Sequence, residues 1–167
     1  MAQALLVSRK DIVKFTSMNG NVDTDKFIQY IKIAQDIHIQ NYLGTELLDK
    51  IEADIIADTL TGDYATLVTD YVKPMLIHWA MVEYLPYAAY TISNKGVYKG
   101  SSENAENVDK NEIDFLIEKE RSIAQYYTER FIDYMNFNAA SKFSEYYSNS
   151  NEDVYPDKDS DFSGWVL

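Results

Sequence analysis

The chain contains no cysteine and only two histidines, three prolines and six glycines among its 167 residues. Without cysteine it can form no disulfide, no thiolate nucleophile and no Cys-ligated zinc site. The glycines lie singly at turns and near the ends, which excludes a Gly-rich phosphate-binding loop. Basic residues are also few, since 15 Lys and Arg face 27 Asp and Glu for a net charge of −12. The bulk surface is therefore not expected to bind nucleic acid tightly.

The two histidines give no sign of a catalytic or metal site. Neither His38 nor His78 has the HExxH or Glu-x-x-His spacing that brings ligands together on one helix face. His78 follows an apolar run and precedes Trp79, where a core histidine with a satisfied hydrogen bond is the usual arrangement. We therefore expect no enzyme activity, no cofactor and no metal.

Apolar and aromatic residues are abundant, at 46% and 14% of the chain, which predicts a folded domain with a substantial core. The longest apolar pattern covers residues 64–92 and contains only three charged residues, Asp70, Lys73 and Glu83. It predicts a buried central helix, called the spine below, that Pro74 and Pro86 bend or interrupt. Charged and proline residues within it favour a core helix over a membrane span.

Helical spacing and capping signals predict further helices on both sides of the spine. A first helix begins at Ser8 in a capping box, and a second runs from about Thr24 to Tyr42. Gly44 closes the second helix, and Thr45 caps a third that ends near Asp58. A long helix begins at Asp109 and runs to about Asn138. The expected apolar faces include Ile37 in the second helix, Ile55 and Ile56 in the third, and Leu116 in the long helix.

The spine is followed by a turn at residues 93–96 and a short strand, which predicts a β-hairpin arm at 91–100. Together these patterns predict an all-α fold: a small helical bundle (residues 1–147) with a long central helix, the hairpin arm and an extended C-terminal tail. The tail, residues 148–167, is acidic but ends in apolar residues, which suggests that it docks on a protein surface. Docking in cis and docking in trans are equally compatible with the pattern.

The order of these elements resembles a family of small helical head-tail connector proteins of tailed bacteriophages, including those of crAss-like and related phages. These are adaptor or ring proteins that bind beneath the portal. The resemblance covers roughly residues 11–167 and consists of structural motifs rather than chemical ones. The positions that carry it are residues 21–27, 42–47, the long apolar helix, residues 93–97, Tyr126, Tyr127, Tyr134, Tyr155 and Pro156.

This resemblance implies a structural subunit of a homo-oligomeric ring of about twelve copies, in contact with the portal and with neighbouring tail or ring proteins. DNA would pass through the ring without specific binding, and the acidic surface would line or flank the channel. The implied location is the head-tail junction of a virion assembled in the host cytoplasm, with no membrane. Residues expected to contact other subunits are Asn94, Lys95, Val97, Tyr98, Tyr155, Phe162, Trp165 and Leu167.

Two other classes of function stay open at this point. One is a soluble helical binding or regulatory module that holds a peptide or a small ligand in a groove of the spine. The other is an enzyme that uses carboxylates and a divalent metal, which the missing motifs disfavour.

Overall fold

The computed structural model of the chain describes residues 3–18, 23–88, 90–93, 96–99, 109–150 and 153–159. It confirms an all-α fold with one long helix, a short hairpin and an extended C-terminal segment. The elements are α1 (Arg9–Phe15), α2 (Thr24–Ala34), a π turn (Gln35–Ile39), α3 (Gln40–Leu43), α4 (Thr45–Ile56), α5 (Gly62–Leu67), a second π turn (Val68–Val72), α6 (Lys73–Tyr84), a 3₁₀ turn (Leu85–Tyr87), β1 (Tyr90–Ser93), β2 (Gly96–Lys99), α7 (Lys110–Lys142) and α8 (Ser144–Ser148).

One prediction about the helix that begins at Thr24 is wrong because this helix contains the first π turn. The helix that begins at Thr24 does continue to Leu43, but the π turn changes its phase after Ala34. Ile37, predicted to face the core, is 57% exposed, whereas Ile39 is fully buried. A π turn places five residues where an α-helix places about four, so a spacing of 3.6 residues misassigns the side chains that follow it.

The spine is confirmed as the centre of the fold. It runs through α5, the second π turn and α6, and α6 packs against both α2 and α7. Apolar side chains are buried all around α6, as expected for a helix covered on several sides. Within the part of the chain that the structure describes, no helix combines the length and the apolar character that a membrane span requires.

Pro74 is accommodated where the second π turn passes into α6. Proline has no N–H to donate to the carbonyl four residues earlier, which belongs to Asp70. The Arg130 guanidinium of α7 donates to that carbonyl at 3.4 Å and so compensates for the missing donor. Pro86 lies in the 3₁₀ turn that ends the spine.

Both predicted capping boxes are present. Ser8 caps α1 together with Asp11, and Asp109 caps α7 together with Glu112. α7 is 33 residues long and extends to Lys142, beyond its predicted end near residue 138. Two residues predicted for the apolar faces, Ile56 and Leu116, are exposed, because Ile56 ends its helix and Leu116 lies in the first turns of α7.

Candidate functional site

The hairpin arm extends from the end of the spine as two antiparallel strands in the register Tyr90–Lys99 to Ser93–Gly96. Gly96 has φ +120°, a conformation that favours glycine over residues with a side chain. Tyr90 and Val97 are exposed, Val97 to 64%. The exposure of both side chains on one short hairpin makes the arm a candidate contact surface.

Four of the eight residues expected to contact other subunits belong to this arm. Val97 lies on β2 with its side chain exposed to solvent. Tyr98 also lies on β2, opposite Thr91, but its side chain is outside the described part of the chain. Asn94 and Lys95 lie outside the described residues.

An aromatic cluster lies where the spine ends and the arm begins. The Tyr84 ring meets Phe27 and Tyr30 of α2 edge to face, at centroid distances of 4.9 and 5.4 Å. Tyr87, which is exposed, stacks on Tyr30 at 5.6 Å. Such aromatic contacts typically contribute about 0.5–1.5 kcal/mol each beyond area burial. The base of the arm is therefore fixed to α2, a feature that sequence spacing within the spine does not reveal.

The second candidate surface is the C-terminal segment, whose described residues 153–159 contain no helix or strand. This segment lies against the corner between α3 and α4. Val154 accepts a hydrogen bond from the Thr45 N–H at 3.0 Å, and the Asp157 N–H donates to the Asn41 carbonyl at 2.8 Å. Pro156 covers Gly44, whose φ is +78° and which has no space for a Cβ: the added atom would lie 2.6 Å from Pro156 Cγ.

The N-terminus of α4 has hydrogen-bond partners from the C-terminal part of the chain in place of the predicted cap. Thr45 is the first residue of that helix rather than its N-cap, and Gly44 at the cap position has no side chain to offer. The Glu46 N–H lies in the first turn of α4, where the helix itself offers no acceptor, and it donates to Asn149 Oδ1 at 3.2 Å. The Thr45 hydroxyl donates to Asp153 Oδ2 at 2.9 Å. A sequence-local capping rule misses this arrangement because the acceptors come from residues more than a hundred positions away.

The C-terminal segment therefore docks in cis over its described length. Tyr155, one of the expected contact residues, is exposed within it. The Lys158 ammonium lies 4.4 Å from the Tyr147 ring centroid and 5.1 Å from that of Tyr155, within cation–π range. Phe162, Trp165 and Leu167 lie outside the described residues, so their expected role as contact residues stays a prediction.

The two histidines join the spine to its neighbours. His78 Nδ1 lies 2.7 Å from Glu120 Oε2 of α7, which confirms the expected satisfied hydrogen bond. His38 Nε2 lies 2.8 Å from Glu83 Oε1, and its ring stacks on Trp79 at 4.0 Å. Burial lowers the pKa of His38, against the opposing effect of the Glu83 carboxylate. These contacts connect α6 to α7 and to the first π turn.

A polar cleft of about 550 Å³ lies between α1, the second π turn, α6 and α7. Its size is suitable for a small ligand. Its lining includes three cations. Lys73 Nζ lies 3.5 Å from Asp11 Oδ2, whereas Arg130 and Lys14 lie 4.8 Å and 5.1 Å from the ring centroids of Tyr71 and Phe15. Among the described residues, no group of three or more His, Asp and Glu side chains has the arrangement needed to hold a metal.

The comparison with known proteins places the chain in a family. The chain belongs to DUF6712, a family of unknown function whose model matches residues 39–155. The match begins at the end of the first π turn and includes the Gly44 corner, the spine, the hairpin arm, α7 and the docked segment as far as Tyr155. No curated protein and no solved structure matches the chain.

Proposed function

We propose that the protein is a structural subunit of a head-tail connector ring in a tailed bacteriophage, joining the portal to the tail and forming part of the DNA channel. In this role it assembles as a homo-oligomer of about twelve copies at the head-tail junction of the virion. It acts through contact surfaces and carries out no catalysis.

The observation that carries the proposal is the hairpin arm on its fixed base. A rigid helical body supports two short strands whose Tyr90 and Val97 are exposed. Closed rings are built from heterologous contacts, in which one patch of a subunit meets a different patch of the next, and arms are common in such contacts. The arm is one such patch, and the apolar residues at 162–167 supply another in the same proposal.

Charge also agrees with this role. A net charge of −12 repels DNA, which favours passage through a channel without sticking. The polar cleft contains the carboxylates of Asp11 and Asp70 beside its three cations, which offsets most of the positive charge that could hold a phosphate.

An assembly experiment tests the proposal. The full-length chain is mixed with the portal protein of the same phage, and the mass of the product is measured by light scattering and its shape by electron microscopy. Val97→Asp is expected to prevent ring formation while leaving the melting temperature unchanged, because Val97 is exposed in the free subunit. Ile56→Asp, an equally drastic change at an exposed apolar residue of the body, is the matched control.

Rings that form normally with Val97→Asp would contradict the role of the arm. A wild-type chain that stays a single subunit in the presence of the portal, and that is absent from purified virions, would contradict the connector function itself.

The second candidate function, a helical binding module, has two cavities in its favour. The polar cleft of about 550 Å³ beside the spine is within the range of about 300–1,000 Å³ that holds typical ligands. An apolar groove of about 220 Å³ between α1, α2 and the N-terminal residues is smaller, with Val7, Ile12 and Phe27 among its walls.

A further inference from the structure

The solvent-facing side of α7 carries three large aromatic residues in one line. Phe115, Tyr126 and Phe137 are 69%, 62% and 88% exposed. Neighbours in this series are eleven residues apart, which is three helical turns, so the three side chains lie on one face. This face is opposite the buried residues Ala124, Phe131 and Met135 that pack on the spine.

The aromatic line is symmetric about its centre. Phe115 and Phe137 are equally far from Tyr126 along the helix. A two-fold axis through Tyr126 of two antiparallel helices would therefore place Phe115 of one copy against Phe137 of the other, and Tyr126 against itself. A two-fold interface requires this kind of self-complementarity, because each contact between two positions occurs twice.

The charges on the same face follow the same symmetry. Lys119 lies seven residues before Tyr126 and Asp133 lies seven residues after it. The two-fold axis would thus bring Lys119 of each copy to Asp133 of the other, pairing opposite charges at both ends. Within the described part of the chain, no intramolecular ion pair involves Lys119 or Asp133.

The aromatic face supplies a substantial part of the area of a specific contact. The stripe from Phe115 to Phe137 is roughly 33 Å long at 1.5 Å per residue. Three aromatic side chains of about 150–250 Å² each, mostly exposed, supply on the order of 400 Å² per subunit. That is about half of the roughly 800 Å² that each partner contributes to a standard interface, so the flanking side chains along the stripe would have to supply the remainder.

We infer that the protein forms a homodimer in which two α7 helices pack antiparallel about a two-fold axis at Tyr126. This contact is distinct from the heterologous contacts of a closed ring and does not rest on the connector function. In the dimer, the Phe115, Tyr126 and Phe137 rings are covered by the second copy, and Lys119–Asp133 pairs close both ends.

Charge reversal and rescue test the pairing. The mass of the full-length chain, 19.2 kDa as a monomer, is measured by sedimentation at increasing concentration. Wild type is expected to reach twice that mass, and Tyr126→Glu to stay monomeric. Lys119→Asp or Asp133→Lys alone should raise the dimer Kd about tenfold by placing like charges together. The double variant should recover the wild-type Kd, and Asp114→Lys, on another face of α7, should have no effect.

A cross-linking experiment tests the axis. Because the chain has no cysteine, Tyr126→Cys introduces a single thiol that meets its own symmetry mate. Mild oxidation should convert it to a disulfide-linked dimer, since facing positions on packed helices approach the Cα separation of about 4.4–6.8 Å that a disulfide needs. Asp114→Cys, exposed on the same helix, should cross-link far more slowly.

A chain that remains monomeric at all concentrations would overturn the inference. So would an oligomer unaffected by Tyr126→Glu, a double charge reversal that fails to restore the dimer, or equal cross-linking of the two cysteine variants. Circular dichroism of each variant establishes that the helical fold is retained, as expected for substitutions at exposed positions.

Discussion

Replacing Gly44 by alanine tests the docked C-terminal segment. Gly44 has φ +78° and ψ 157°, a region that only glycine adopts readily, so alanine there costs about 1–3 kcal/mol in backbone strain. The new Cβ would also lie 2.6 and 2.7 Å from Pro156 Cγ and Cδ. Relieving that clash moves the segment and weakens the bond between Thr45 and Val154, at a cost of about 1 kcal/mol. We expect a total loss of about 3 kcal/mol in the free energy of unfolding.

The assay is urea and thermal unfolding followed by circular dichroism, and the expected fall in melting temperature is roughly 6–12 °C for a chain of this size. Gly62→Ala is the matched control. Its φ of +60° imposes strain of about 1–2 kcal/mol, but a Cβ added there would meet no other atom within 4 Å. Pro156→Ala removes the clashing ring atoms and should make Gly44→Ala less costly in the double variant. A Gly44→Ala variant no less stable than Gly62→Ala would refute the docking.

Two further predictions concern the spine and the histidine that stacks on it. Trp79→Ala should lower the free energy of unfolding, measured by urea titration, by about 3–5 kcal/mol, because Trp79 is buried and donates to Thr128 Oγ1 at 3.0 Å. Ile37→Ala, at an exposed position, is the control and should change the same free energy by at most about 0.5 kcal/mol. Burial lowers the pKa of His38, so the unfolded chain binds more protons just below the ordinary value of about 6.5, and the protein should lose stability on acidification through that range. Unfolding midpoints at about pH 7.5 and about pH 5.5 should therefore differ less in His38→Gln than in wild type, and parallel shifts would contradict a buried neutral histidine.

Local signals in the sequence predict much of the fold. The capping boxes at Ser8 and Asp109 are each set by residues three positions apart, so the sequence alone identifies them. The spine is predictable because an apolar helix has few alternatives to burial, and the corner at Gly44 because a positive φ favours glycine.

The errors arise where structure departs from local periodicity. Helical spacing assigns Ile37 to the core because a π turn leaves no sequence signature. Thr45 is expected to cap α4, but that helix takes its acceptors from Asn149 and Val154.

The candidate contact surfaces can be predicted only in part from the sequence. The hairpin arm follows from a turn pattern, whereas the symmetry of the α7 face becomes apparent only when the buried side of that helix is known.

The corner at Gly44 also bears on the order of folding. Its hydrogen bonds join residues more than a hundred positions apart, and closing so long a loop costs conformational entropy that contacts within each helix do not offset. We therefore expect the C-terminal segment to dock on the corner, and to supply the hydrogen-bond partners of the α4 N-terminus, only after the helices around the spine have packed. Contacts that form after the folding transition state slow unfolding without accelerating folding. Docking of the segment would thus determine how long the folded chain persists rather than how fast it folds.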